Sequence, residues 1–109
     1  MTDAPATAST VLTHAAGLHA RPSLKLTMLA KTFAAKIEVA LKVEGPWIDA
    51  KSIVKIMATK APMGSTLHFR ASGENAAAAL AALVALIDRD FDEGKDNAGA
   101  DKAGVPADG

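Results

Sequence analysis

Between Val11 and Asp92 the apolar residues repeatedly change their spacing, and few architectures accommodate that alternation. Lys36–Val43 alternates polar and apolar side chains (Lys36, Ile37, Glu38, Val39), as a half-buried strand does. Ser65–Ser72 repeats the pattern, with Leu67, Phe69 and Ala71 on one face. Pro22–Ala35 instead places Leu26, Leu29, Ala30 and Phe33 at helical spacing, and a last long helix entered through Ser72-Gly73-Glu74-Asn75 carries Leu80, Leu83, Val84, Ile87 and Phe91. Glu44-Gly45-Pro46 signals a turn, after which Trp47-Ile48-Asp49 returns as a short partner strand. Ser52 opens a second helix with Ile53, Ile56 and Met57 inward, and Pro62 and Gly64 stop it. A first strand over Thr10–Ala15 ends at Gly17.

The order is therefore β-α-β-β-α-β-α. Each element has one apolar side, so the expected fold is α/β (α+β): an open-faced sandwich with three helices on one face of a four-stranded, mostly antiparallel sheet. The other sheet face is expected to meet water.

A chain of 109 residues fits one such unit. The low-complexity start (1–10) and the Gly-, Asp- and Ala-rich end (93–109) have little to bury, so both are expected to be disordered around a domain at 11–92. Twelve basic and twelve acidic residues cancel, which argues against nucleic acid as a partner. The absence of cysteine excludes disulfides and thiolate metal sites. The first residues lack the basic start and apolar run of a secretory signal, and the apolar stretch Ala76–Ile87 is too short to span a bilayer. A cytoplasmic monomer without membrane insertion is expected.

Chemistry concentrates at Gly17-Leu18-His19-Ala20-Arg21-Pro22, where the first strand hands over to the first helix. Proline suits a first helical turn, where its missing N–H is not needed. His19 and Ala20 then fall at the helix start, among backbone N–H groups that have no intrahelical acceptor and form the positive dipole end. An anion placed there meets ready donors, and Arg21 adds a permanent planar cation matched to phosphate. The same positive surroundings favour a neutral imidazole, whose ring lone pair is nucleophilic. Once that ring carries a phosphoryl group, the site stabilises the added charge. Such a site suits a carrier better than a hydrolase. A histidine that only caps the helix is the plain alternative, and the joint presence of Gly17, Arg21 and Pro22 weighs against it.

This motif, together with Ala50-Lys51-Ser52-Ile53, resembles the HPr family of histidine phosphocarriers of the bacterial phosphoenolpyruvate-dependent phosphotransferase system. The resemblance runs from about Val11 to Phe91. It implies that His19 takes phosphate on Nδ1 from phosphorylated Enzyme I and passes it to a histidine of an EIIA-type protein, Arg21 and Ala20 holding the phosphoryl group. It implies no cofactor, and a phosphohistidine relay of sugar transport rather than a self-sufficient catalyst. A nitrogen-type paralogue, signalling through its phosphorylation state, would carry the same motif.

A relay must dock briefly with several proteins, so apolar surface near His19 should stay exposed. Ala20, Leu24 and Met28, spaced by four, lie opposite the Leu26/Ala30/Phe33 stripe and form a candidate ridge; packing beneath the N-terminal segment is the other account. Val54, off the core face of the second helix and flanked by Lys51 and Lys55, would complete the patch and attract acidic partners. Ser52 is a good N-cap. The resemblance also makes Ser52 a candidate regulatory phosphorylation site for an HPr kinase/phosphorylase.

The chain departs from the family pattern at Ala16, in a longer hairpin around Gly45-Pro46-Trp47, and at Lys60-Ala61-Pro62, where relatives are richer in glycine. His14 and His68 join His19 as conceivable metal ligands, but no carboxylate stands beside them at ligand spacing. No metal is expected, and both extra histidines are read as strand residues on the wet face.

Overall fold

The sheet assembles by antiparallel pairing alone. In the computed structural model, which describes residues 5–15 and 17–92, β1 (Ala6–Val11) pairs with β4 (Thr66–Ser72), β4 with β2 (Lys36–Ala40), and β2 with β3 (Ile48–Asp49). The spatial order is β1-β4-β2-β3. Three helices complete the unit: α1 (Ala20–Lys31), α2 (Ile53–Ala58) and α3 (Ala76–Asp88), followed by a 3-10 turn at Asp90–Asp92. The expected open-faced sandwich is the fold observed.

Register explains the two sheet faces. Ile37, Val39, Leu67, Phe69 and Ala71 are buried, and they meet Leu26 and Ala30 of α1, Ile56 of α2, and Ala79, Leu80, Leu83 and Ile87 of α3 in one core. The intervening residues face away from it. There Thr7, Arg70, Glu38 and Asp49 form one row across all four strands. Arg70 Nε donates to Glu38 Oε1 at 2.7 Å, and the guanidinium lies 4.3 Å from the Trp47 ring centroid. Trp47 thus folds onto the open face, where it covers part of Arg70.

Four expectations need correction. The first strand spans Ala6–Val11 rather than Thr10–Ala15, so 6–10 belongs to the sheet rather than to a disordered start. Ala6 and Ala8 are small, but ladder hydrogen bonds do not need large side chains, and their methyls pack on the core. Second, α1 starts two residues before Pro22, which becomes the third helical residue and still needs no intrahelical acceptor for a backbone N–H; α1 ends at Lys31, where the Thr32 hydroxyl turns back to the Leu29 carbonyl at 2.7 Å. Third, Met57 is exposed, because so short an α2 presents only Ile56 fully to the core. Fourth, Phe91 is buried as expected but does not extend the α3 stripe. The helix has ended, and Phe91 reaches the core from a left-handed backbone (φ 57°). The segment 93–109 lies outside the described residues.

The connection carrying the Gly17–Pro22 motif is strapped to the segment after α2. Leu12 N–H donates to the Ser65 carbonyl (2.8 Å), Gly64 N–H to the Leu12 carbonyl (2.7 Å), and Leu18 N–H to the Ala61 carbonyl (2.9 Å). These rungs, each joining residues more than forty positions apart in sequence, set where α1 begins.

Candidate functional site

Gly17 is the pivot of this connection. Its φ is +69°, and a Cβ there would stand 2.4 Å from the Ala61 carbonyl oxygen and 3.0 Å from Pro62 Cα. No side chain fits between those two backbones, and the conformation itself favours glycine. The chain then tightens further: Gly17 N–H donates to the His14 carbonyl (2.9 Å) and His19 N–H to the Gly17 carbonyl (2.8 Å). Leu18 plugs the core, while the Ser23 hydroxyl donates to its carbonyl at 3.2 Å.

With its neighbours fixed in this way, His19 emerges as the N-cap of α1. Its backbone is extended (φ −81°, ψ −174°), and its carbonyl accepts the first helical hydrogen bond, from Ser23 N–H at 3.0 Å. Its imidazole makes no capping hydrogen bond and is exposed, so the ring is not committed to closing the helix. That geometry argues against a mere cap. The N–H groups of Ala20 and Arg21 come too early in α1 for an intrahelical acceptor, and the first turn contains no acidic residue. Arg21 is exposed beside His19, and Pro22 is buried beneath it. An imidazole nitrogen, backbone donors and a guanidinium therefore share one helix end, a set matched to holding a phosphoryl group on a ring nitrogen.

The structure adds a second wall. Leu18 and His19 border a depression whose other side is Met57, Lys60, Ala61 and Pro62, contributed by α2 and its exit. Spacing along the sequence does not join these residues to His19. The Leu18–Ala61 hydrogen bond does, and long-range backbone pairing leaves no local trace. Only the departure from glycine at Lys60-Ala61-Pro62 marked the segment in advance.

Around the site lie exposed apolar side chains. Ala20 is exposed, Leu24 is 46% and Met28 60% exposed on α1, so neither is covered by the described N-terminal residues. Val54 is 76% exposed on α2. Met57, three residues after Val54, is 39% exposed and lines the depression beside His19. Met63 is exposed beyond Pro62 and was not anticipated.

The two lysines flanking Val54 differ. Lys55 is exposed. Lys51 is not simply a surface charge: its Nζ donates to the Phe33 carbonyl at 2.7 Å and ties the chain after α1 to the start of α2. Ser52 is the N-cap of α2, its hydroxyl oxygen accepting from Lys55 N–H at 3.3 Å. The remaining histidines separate. His68 sits on the wet face opposite Ser9 and Ala40. His14 is not a strand residue; it lies past the end of β1 and meets the Phe91 ring edge-on at 5.8 Å. Among the described residues, no three His, Asp or Glu side chains are grouped to hold a metal ion. Among them also, no helix is long and apolar enough to cross a membrane.

Comparison with known proteins finds matches over most of the chain. Residues 6–89 match the family model described as the PTS HPr component phosphorylation site. The phosphocarrier protein HPr of Cupriavidus necator is 40% identical over 86 residues, 79% of this chain and 94% of that protein. The phosphocarrier protein NPr of Shewanella violacea is also 40% identical, over 78 residues covering 71% and 82% of the two chains. Among solved structures, HPr-C-His from Thermoanaerobacter tengcongensis superposes with a TM-score of 0.74 at 31% identity, covering 81% of this chain and 97% of its own.

Proposed function

The chain belongs to the HPr family of phosphocarriers of the phosphotransferase system, and from that premise we propose that His19 is its phosphoryl-accepting residue, loaded by phosphorylated Enzyme I and discharged to a histidine of an EIIA-type protein. The observation that carries this reading is an exposed histidine N-cap that leaves its imidazole unused for capping, at a helix start shared with Arg21. The transfer balances without a bound nucleotide or metal. The His19 Nδ1 lone pair forms the new P–N bond as the donor histidine's P–N bond breaks, and the donor ring recovers its own pair. Each ring keeps the proton on its other nitrogen. Backbone N–H groups of Ala20 and Arg21 and the Arg21 guanidinium hold the phosphoryl oxygens through the exchange.

Docking falls to the surface around His19. Ala20, Leu24, Met28 and Val54 supply apolar contact, methionine adapting to partners of different shape, and Lys55 favours an acidic partner face. Lys51 belongs to this patch by position, with its charge partly committed to the Phe33 carbonyl. Phosphate on Ser52, placed there by an HPr kinase/phosphorylase, would put negative charge into the patch and weaken docking. We place the carrier domain at 11–92, preceded by the β1 residues from Ala6 that complete its sheet.

The test is incubation with phosphoenolpyruvate and Enzyme I. A single acid-labile phosphate on the wild type, absent from His19→Ala, supports the assignment; no gain in the wild type overturns it. A nitrogen-type role is the second reading, since an NPr is as similar as an HPr. Offering sugar-type and nitrogen-type EIIA acceptors in turn decides between them: the branch is the one whose acceptor drains the phosphate faster.

A further inference from the structure

One cation near His19 has no place in the motif. Lys60 lines the same depression as His19, on the wall opposite the helix start that carries Arg21. Its backbone is unusual. Thr59 is the C-cap of α2, and Lys60 follows it with φ +52°, in the left-handed region where a helix-ending residue is most often glycine. The turn is held by hydrogen bonds on both sides: Lys60 N–H donates to the Met57 carbonyl at 3.1 Å, and Ala61 N–H to the Thr59 hydroxyl at 3.4 Å. The next residue, Ala61, accepts the Leu18 N–H at 2.9 Å, so Lys60 sits one residue from a strap to the His19 loop. Glycine would relax this backbone, yet the position carries a long, flexible cation, and Lys60 is among the residues that line the depression beside His19. Strain kept at a residue beside a reactive group points to a use for its side chain.

We propose that Lys60 is a second cationic positioning residue of the phosphoryl site, contacting the phosphoryl group on His19 from the side opposite Arg21. The inference rests on His19 being the acceptor. Arg21 and the helix N–H groups approach from α1, and they leave open the side that faces α2. A lysine on a four-carbon stem reaches across the depression and swings away when the partner's histidine approaches, which a rigid wall would not permit. Its charge favours the dianionic phosphoryl group, so it retains the phosphate on this carrier between encounters.

The experiment compares wild type with Lys60→Met, Lys60→Gly and Lys60→Arg, each loaded by phosphoenolpyruvate and Enzyme I. The readouts are the 31P pH titration of the phosphohistidine and the rate of loading. In wild type and Lys60→Arg the phosphoryl group should titrate at lower pH than in Lys60→Met and Lys60→Gly. Loading should slow by about two- to five-fold in the latter two, the range an exposed charge contact produces, with the difference shrinking at high salt. Lys60→Gly keeps the left-handed turn without strain, so a folding defect cannot explain its result. If wild type loads normally and all four proteins share one titration curve and one rate, Lys60 has no part in the site and only this proposal falls. If wild type takes no phosphate, the assignment of His19 falls as well.

Discussion

Replacing Gly17 by alanine tests whether the His19 loop is placed by its contact with the segment after α2. The new Cβ would stand 2.4 Å from the Ala61 carbonyl oxygen, 3.0 Å from Pro62 Cα and 3.3 Å from Met63 N, all backbone atoms that no rotamer change can move. The left-handed φ of +69° adds about 1–2 kcal/mol for any residue with a Cβ. Separating the two segments enough to admit the methyl also stretches the 2.9 Å hydrogen bond from Leu18 N–H to Ala61, worth about 1 kcal/mol. The two contributions total about 2–3 kcal/mol. For a domain of this size each kcal/mol lowers Tm by about 4–8 °C, so a fall of roughly 8–24 °C is expected by calorimetry.

Gly64 provides the control. Its φ is also positive, +95°, but a Cβ there meets nothing within 4 Å. Gly64→Ala should therefore cost the backbone strain alone, about 1–2 kcal/mol. Urea unfolding of both variants separates the steric contribution from the dihedral one. Equal losses at the two glycines, or a Gly17→Ala protein within 0.5 kcal/mol of wild type on the scale of ordinary surface changes, would refute the claim that Gly17 is required by the close approach of Ala61.

Other perturbations address separate parts of the molecule. Lys51→Met removes the 2.7 Å bond to the Phe33 carbonyl and should lower the urea-derived stability by about 1 kcal/mol, which a purely solvated lysine would not do. Ser52→Ala loses a long 3.3 Å cap and should cost about 0.5–1 kcal/mol, whereas Ser52→Asp should stay within a few tenths of wild type in the same assay. Met28→Asp and Val54→Glu, at side chains 60% and 76% exposed, should leave stability within about 0.5 kcal/mol and raise the KM for phosphorylated Enzyme I several-fold in the loading assay. Arg70→Leu uncovers Trp47 and breaks the Glu38 pair, so the tryptophan emission should shift to the red with at most about 1 kcal/mol of destabilisation.

The legible part of this chain was what local chemistry controls. Strands β2 and β4 announce themselves through Ile37, Val39, Leu67 and Phe69, and the α1 and α3 stripes through Leu26, Ala30, Leu83 and Ile87, because one buried face imposes its period on the residues. The His19 motif was legible because proline, glycine and a helix start constrain one another within six residues. The misreadings have the opposite origin. Residues Ala6–Ser9 are too small and polar to advertise a strand, and only the facing Phe69 and Ala71 region of β4 makes one of them. Met57 follows a helical pattern that six residues of α2 are too few to satisfy. Phe91 continues the α3 spacing in sequence while the backbone has already turned at Asp90 (φ 58°) and Phe91 itself. Lys51 reads as a surface charge until Phe33 is brought beneath it.

That division between local and distant control bears on how such a site works. His19 owes its place to backbone bonds at Gly17, Leu18 and Ser23 and to the strap at Ala61; no cap bond holds its side chain. A catalytic residue that serves one substrate profits from a locked side chain. A relay does not, because the same nitrogen must line up first with one partner's histidine and then with another's. For the relay proposed above, fixing the Cα while leaving the imidazole uncommitted would meet both demands: the helix end and Arg21 would stay in register with the phosphoryl group, and the ring would adjust to each docking geometry. On this reasoning a side chain that pinned the imidazole would harm transfer more than one that shifted the loop slightly. Ala20→Glu supplies a carboxylate adjacent to the ring and should slow both loading and discharge without destabilising the fold. If it slowed loading alone, repulsion of the incoming phosphate would account for the defect, and freedom of the ring would not be the property that matters.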